Sequence, residues 1–159
     1  MGSRLNLEKA YIAGFLDGDG SLMLQVKLRG DTKRGVRFMA TICLYQDTRH
    51  EEPLYWIRDV LKIGYISHRS DGMTELRVNG FEQVRKILTD FKPYIRFKAK
   101  QASALIYACE LLARRRVDQL NEKELRNLVD LVFVIKQENY NSRSALTKDI
   151  LLQRLGLTP

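Results

Sequence analysis

The stretch Tyr11-Ile12-Ala13-Gly14-Phe15-Leu16-Asp17-Gly18-Asp19-Gly20 decides how the rest of the chain is read. It has the composition of a helix crowded with small residues that ends in two acids interleaved with glycines. An alternating strand follows at once. Gly14 and Gly18 lie four apart, on one face of a helix, and Ala10 extends the same row. A glycine inside a helix costs about 1 kcal/mol relative to alanine, so two of them need a compensating reason. Close approach of a second backbone supplies it. The expected seam comprises Ala10, Ala13, Gly14, Asp17 and Gly18.

The two acids divide their work by position. Asp17 and Asp19 are about 200° apart on a helix and cannot share one metal while both are helical. Asp17 reads as structural. Asp19 falls at or past the helix C-terminus, where the macrodipole is already negative and an acid needs a cation to offset it. One carboxylate makes a poor magnesium site. If the glycine face packs against its symmetry mate, two Asp19 carboxylates meet at the helix ends. Divalent cations can then bind, with a phosphate backbone completing their coordination.

Composition narrows the class. The chain has 159 residues, carries a formal charge of +8 with pI ≈ 9.6, and reads as a single domain over 1–159. The basic excess suggests an anionic partner, nucleic acid ahead of a membrane surface. Cys43 and Cys109 show no metal spacing and give no disulfide framework, which fits an intracellular, reduced setting. No apolar run approaches the roughly 20 residues of a membrane span, and no signal-peptide pattern is present.

The spacing predicts a helix over 6–16 with Asn6 as N-cap, then a strand over 21–29 and a second strand beginning near Arg37. Leu22, Leu24, Val26 and Leu28 share one face with Phe38, Ala40, Ile42 and Leu44. Thr48 to Glu51 has capping-box spacing ahead of a helix running to Lys62. A shorter hairpin over 64–78 turns at Ser70-Asp71-Gly72. Helices follow over 81–91, 98–115, 121–138 and 144–155, the third with a second capping box between Asn121 and Glu124. The order is αββαββα with extra C-terminal helices, an α+β fold whose antiparallel sheet leaves one face uncovered by its own chain.

The uncovered face carries Gln25, Lys27, Arg29, Arg37, Thr41, Arg69, Glu75 and Arg77. Arginine and lysine pair with guanine edges, glutamine with adenine, and glutamate with the cytosine amino group. A two-stranded ribbon fits the major groove, and a twisted sheet can follow it. Lys33-Arg34 and Arg114-Arg115-Arg116 are then phosphate contacts or solvated ends.

The motif Tyr11 to Gly20, with the strand after it, resembles that of the LAGLIDADG homing endonucleases, and the element order resembles their fold with its curved antiparallel sheet. One copy of the motif is present, which is similar to the single-motif branch acting as a homodimer. The resemblance implies a magnesium-dependent, staggered double-strand cut in a long, pseudo-palindromic DNA target. Mn2+ would substitute, and Ca2+ would occupy the site without cleavage. It implies that Asp19 binds metal with the Gly18 carbonyl, and that Gln46 positions water or metal. Lys98 matches the basic residue beside the cut, with Lys100 continuing the pattern and able to take the role or to contact DNA. His50 stands where relatives can carry arginine. An intron-RNA maturase and a non-cleaving DNA-binding regulator are the alternatives on the same fold.

Overall fold

Two strands that each alternate apolar and polar residues give the sheet its two unlike faces. The computed structural model describes residues 2–139 and 145–159. After helix α1 (Gly2–Asp19), strand β1 (Ser21–Leu28) pairs antiparallel with β2 (Val36–Asp47), from Ser21 opposite Cys43 to Leu28 opposite Val36. A second hairpin, β3 (Tyr65–His68) and β4 (Met73–Asn79), adds its later strand to β2, so the sheet order is β1-β2-β4-β3. Between the hairpins lies α2 (Glu52–Leu61). After them come α3 (Phe81–Phe91), α4 (Ala99–Arg114), α5 (Glu122–Glu138) and α6 (Lys148–Arg154).

The apolar side chains of β1, β2 and β4 enter one contiguous core with α1 through α6. Leu22, Ala40, Ile42, Leu44, Leu76 and Val78 are all buried there. The Asn121 capping box forms as its spacing predicts: Asn121 Oδ1 accepts from Glu124 N–H at 2.9 Å, and Glu124 Oε2 accepts from Asn121 N–H at 3.0 Å.

Four local expectations are corrected. Helix α1 begins at Gly2 rather than Asn6 and continues through Asp19 rather than stopping at Leu16. Its stop is Gly20, whose N–H bonds the Leu16 carbonyl at 3.0 Å. A Cβ at Gly20 would lie 2.5 Å from Leu16 Cδ1, so only glycine fits this exit.

The Thr48–Glu51 capping box does not form. Asp47 caps a 3-10 turn over Thr48–His50 instead, accepting from Arg49 N–H at 2.9 Å. Glu51 is drawn across to β4 and β3, where Thr74 Oγ1 approaches at 2.6 Å and His68 Nε2 at 2.7 Å. The last helix begins at Lys148, capped by Thr147, rather than at residue 144, which lies outside the described residues.

The middle of the second sheet face is also not open. Thr41 and Cys43 on β2 are fully buried. Register explains it: Thr41 sits between Met23 and Asn79, and Cys43 between Ser21 and Arg77. Thr41 is overlaid by longer side chains on both sides, and Cys43 by the long Arg77 side chain on one.

Candidate active site and nucleic-acid interface

The acidic end of α1 meets the start of α4 through one side chain. Asp17 is buried, and its carboxylate accepts three backbone N–H groups: Oδ2 from Arg96 at 2.7 Å and Phe97 at 2.9 Å, Oδ1 from Lys98 at 2.7 Å. Burial opposes its charge, but the three N–H groups and the Lys98 ammonium hold its pKa below the ordinary aspartate value. Asp17 thus closes the turn before α4, as its structural reading requires. The expected seam includes Asp17, and its carboxylate faces its own chain.

Lys98 is placed by the same junction. Its Nζ donates to the Asp17 carbonyl at 2.5 Å and lies 3.4 Å from the Gly18 carbonyl. Burial lowers the pKa of this ammonium, with Asp17 and Asp19 pulling the other way. Asp19, two residues on, is exposed, and its carboxylate makes no hydrogen bond or ion pair among the described residues. Gly18, Asp19 and Lys98 line one cavity of about 1000 Å³ with Gln25, Lys27 and Tyr45. Gln46 does not line it; its Oε1 accepts the Asp47 N–H at 2.9 Å, leaving Nε2 to donate. Among the described residues no group of three or more His, Cys, Asp or Glu side chains can hold a metal. At this end of α1 the chain presents one outward carboxylate, that of Asp19.

The outward face of α1 is the second element. Leu7 is 68% exposed and Tyr11 65%, and they share a face with exposed Gly14 and Gly18. A Cβ built on either glycine meets nothing within 4 Å. Nothing among the described residues requires those glycines. Ala10 is half-buried beside the row, whereas Ala13 is fully buried in the chain's own core. Leu7 and Tyr11 were legible in the i, i+4, i+7, i+11 spacing that ends at Gly18. Trp56 of α2, whose ring packs edge-on against Tyr11 at 5.7 Å, carried no such signal.

On the polar sheet face, Lys27, Arg29, Lys33 and Arg37 are exposed at the far end of the β1–β2 hairpin. Arg29, Lys33 and Arg37 share a second cavity, about 710 Å³, with Arg114 to Arg116 at the end of α4. Several of the expected DNA contacts are otherwise engaged. Thr41 donates its hydroxyl to Asn79 Oδ1 at 2.7 Å and is buried. Arg34 Nη1 is held by the Leu155 carbonyl at 2.6 Å. Lys100 pairs with Glu138 at 2.8 Å. Glu75 is 5% exposed, with its carboxylate bonded to Arg69 Nη1 at 3.0 Å and Arg77 Nε at 2.7 Å. Both of its oxygens are thus engaged by arginines at a nearly closed position.

A glycine-faced helix ending in an outward acid, set against a sheet with one basic polar face, defines a class of nucleic-acid enzyme. The LAGLIDADG endonuclease family profile matches residues 12–109, and the chain belongs to that family. Among curated relatives, the DNA endonuclease I-CvuI of Chlorella vulgaris is 30% identical over 100 residues, covering 63% of this chain and 62% of that protein. I-CreI of Chlamydomonas reinhardtii is 24% identical over 146 residues, covering 92% and 89%. The crystal structure of I-CvuI with the I-CreI target superposes with a TM-score of 0.83 at 23% identity, covering 98% of this chain and 99% of that one. An archaeal intron-encoded homing endonuclease, I-Vdi141I, complexed with DNA, gives 0.83 at 21% identity over 94% and 95%. These likenesses establish the α+β fold with its four-stranded antiparallel sheet.

Proposed function

We propose that the chain is a site-specific DNA endonuclease of homing type, acting as a homodimer with divalent metal on a pseudo-palindromic duplex. The observation that carries this reading is the Asp19 carboxylate, without a hydrogen bond or ion pair among the described residues, at the end of a helix face whose glycines meet nothing among them. Two such helices packed at Gly14 and Gly18 bring two Asp19 groups to one place. Each subunit contributes one domain and one acid.

The donor set suits a hard divalent cation: a carboxylate and, beside it, the Gly18 carbonyl, both oxygen ligands. Magnesium bound there would activate water and stabilise the leaving oxygen of a phosphodiester. The chain's own residues do the rest. Lys98, fixed by the Asp17 carbonyl, sets a positive charge beside the carboxylate where negative charge develops. Gln46 offers Nε2 to a water or phosphate oxygen, since its Oε1 is taken by the next backbone N–H. Lys27, Arg29, Lys33 and Arg37 supply backbone contacts and base-edge contacts along the sheet.

The maturase reading asks for basic surface away from the sheet. Arg114 and Arg116 lie across a cavity from the hairpin tip, so they extend the sheet's own basic end. That continuity favours one track for duplex DNA.

The test is incubation of the full chain with a randomised duplex library and Mg2+, followed by sequencing of the ends produced. Paired ends from one recurrent, near-palindromic sequence, absent in chelator, are expected. Tight DNA binding without ends at any sequence would overturn the nuclease reading.

A further inference from the structure

The polar sheet face contains one buried acid that neither the cleavage centre nor a base contact uses. Glu75 stands in β4 between Tyr45 on β2 and Ser67 on β3, and is 5% exposed. Each of its oxygens is committed to a different arginine: Oε1 to Arg69 Nη1 at 3.0 Å, Oε2 to Arg77 Nε at 2.7 Å. Arg69 has its second terminal nitrogen, Nη2, on Asp71 Oδ2 at 2.7 Å. Its fork is therefore spread over two acids. Arg77 is held at Nε by Glu75, the Cys43 thiol also lies against its guanidinium, and among the described residues neither terminal nitrogen is bonded to an acid.

Burying an acid between two arginines is a poor way to gain stability, because desolvation consumes most of the attraction. It is an effective way to fix direction. A free arginine loses much side-chain entropy on binding, whereas one clamped at Nε enters a complex already oriented. A terminal guanidinium pair matches the O6 and N7 acceptors of guanine in the major groove.

We infer that Arg77 is the arginine of this face that reads a guanine-bearing base pair, and that Glu75, locked in turn by Arg69, is the positioning residue that aims it. The inference rests on the DNA-binding reading above. It assigns Arg69 to holding Glu75 rather than to a base of its own.

The test uses the full chain and a randomised duplex library in calcium buffer, with bound duplexes sequenced. Arg77→Ala loses roughly tenfold of the preference at one base pair per half-site, the order of one bidentate contact. Glu75→Gln loses preference severalfold at that same pair, because an amide accepts at one oxygen only and turns an N–H toward the second arginine. Combining Glu75→Gln with Arg77→Ala adds nothing further at that pair. Arg69→Met, at a more exposed position, gives the same positional signature and covers the case in which Glu75→Gln unfolds. Relaxation at a different pair, even weakening at all pairs, or an unchanged profile in both Glu75→Gln and Arg69→Met overturns the inference. A wild-type chain that shows no base preference at any pair overturns the DNA-binding reading itself, and this inference with it. The wild-type arm separates the two failures.

Discussion

Asp17 and Lys98 hold each other twice across 81 residues of sequence: the Asp17 carboxylate accepts the Lys98 N–H at 2.7 Å, and Lys98 Nζ donates to the Asp17 carbonyl at 2.5 Å. The end of α1 and the start of α4 therefore move as one piece. Asp19 and Lys98 keep a fixed relation because Asp17 does.

Replacing Asp17 by asparagine turns an N–H pair toward backbone N–H groups that have no other acceptor. Each buried donor left unpaired costs about 1–3 kcal/mol, so the variant should lose at least that much stability. Denaturant unfolding measures it. A change within about 0.5 kcal/mol, the scatter of ordinary surface substitutions, would contradict the junction's role.

Gly14→Ala separates the subunit seam from the fold. Its Cβ enters open space in the single chain, and alanine favours helix by up to about 1 kcal/mol. Analytical ultracentrifugation should show weaker self-association while the monomer melts no lower. An unchanged dimer would place the interface elsewhere.

Lys33 and Arg34 are neighbours with different tasks. Lys33→Ala should lower the salt slope of DNA binding by about 1. Arg34→Ala should leave the slope alone and speed hydrogen exchange in α6, since Arg34 Nη1 bonds the Leu155 carbonyl at 2.6 Å. Equal slope changes in both variants would refute the distinction.

Burial pushes the Cys109 thiol from 9.0 up to about 12. A pKa raised in the folded state gives stability that is complete below 9.0 and is lost as pH rises toward about 12. Alkaline denaturation should begin in that window, and Cys109→Ala should lessen its slope, with Cys43 and Tyr45, also pushed up by burial, supplying the remainder. A wild-type chain whose stability is level from pH 9.0 upward would contradict this.

These consequences track what the sequence made legible. Alternation in β1 and β2 shows which side chains enter the core, because a strand has only two faces. The Tyr11–Gly20 stretch shows the helix, its glycine row and the separate tasks of Asp17 and Asp19. Register is what it conceals. That Thr41 lies under Met23 and Asn79 depends on which strand pairs with β2, a long-range fact with no local trace. The same holds for Arg34, whose partner Leu155 is 121 residues away. Glu75 looks like a base contact in the strand pattern, and only the arrival of Arg69 from the neighbouring strand's turn shows both its oxygens taken. At Thr48–Glu51 a valid local signal lost to a tertiary competitor, because Thr74 and His68 offer Glu51 stronger partners than its own helix end.

The proposed function requires Asp19 to be the one metal-binding acid that each chain brings to a paired site. The direct measurement compares wild type and Asp19→Asn on the duplex that the library yields, following cleavage in Mg2+ and binding in Ca2+. Asp19→Asn is expected to bind that duplex and cut neither strand, since the amide removes the anionic ligand while easing repulsion from phosphate. Cleavage by Asp19→Asn at the wild-type rate would contradict the account.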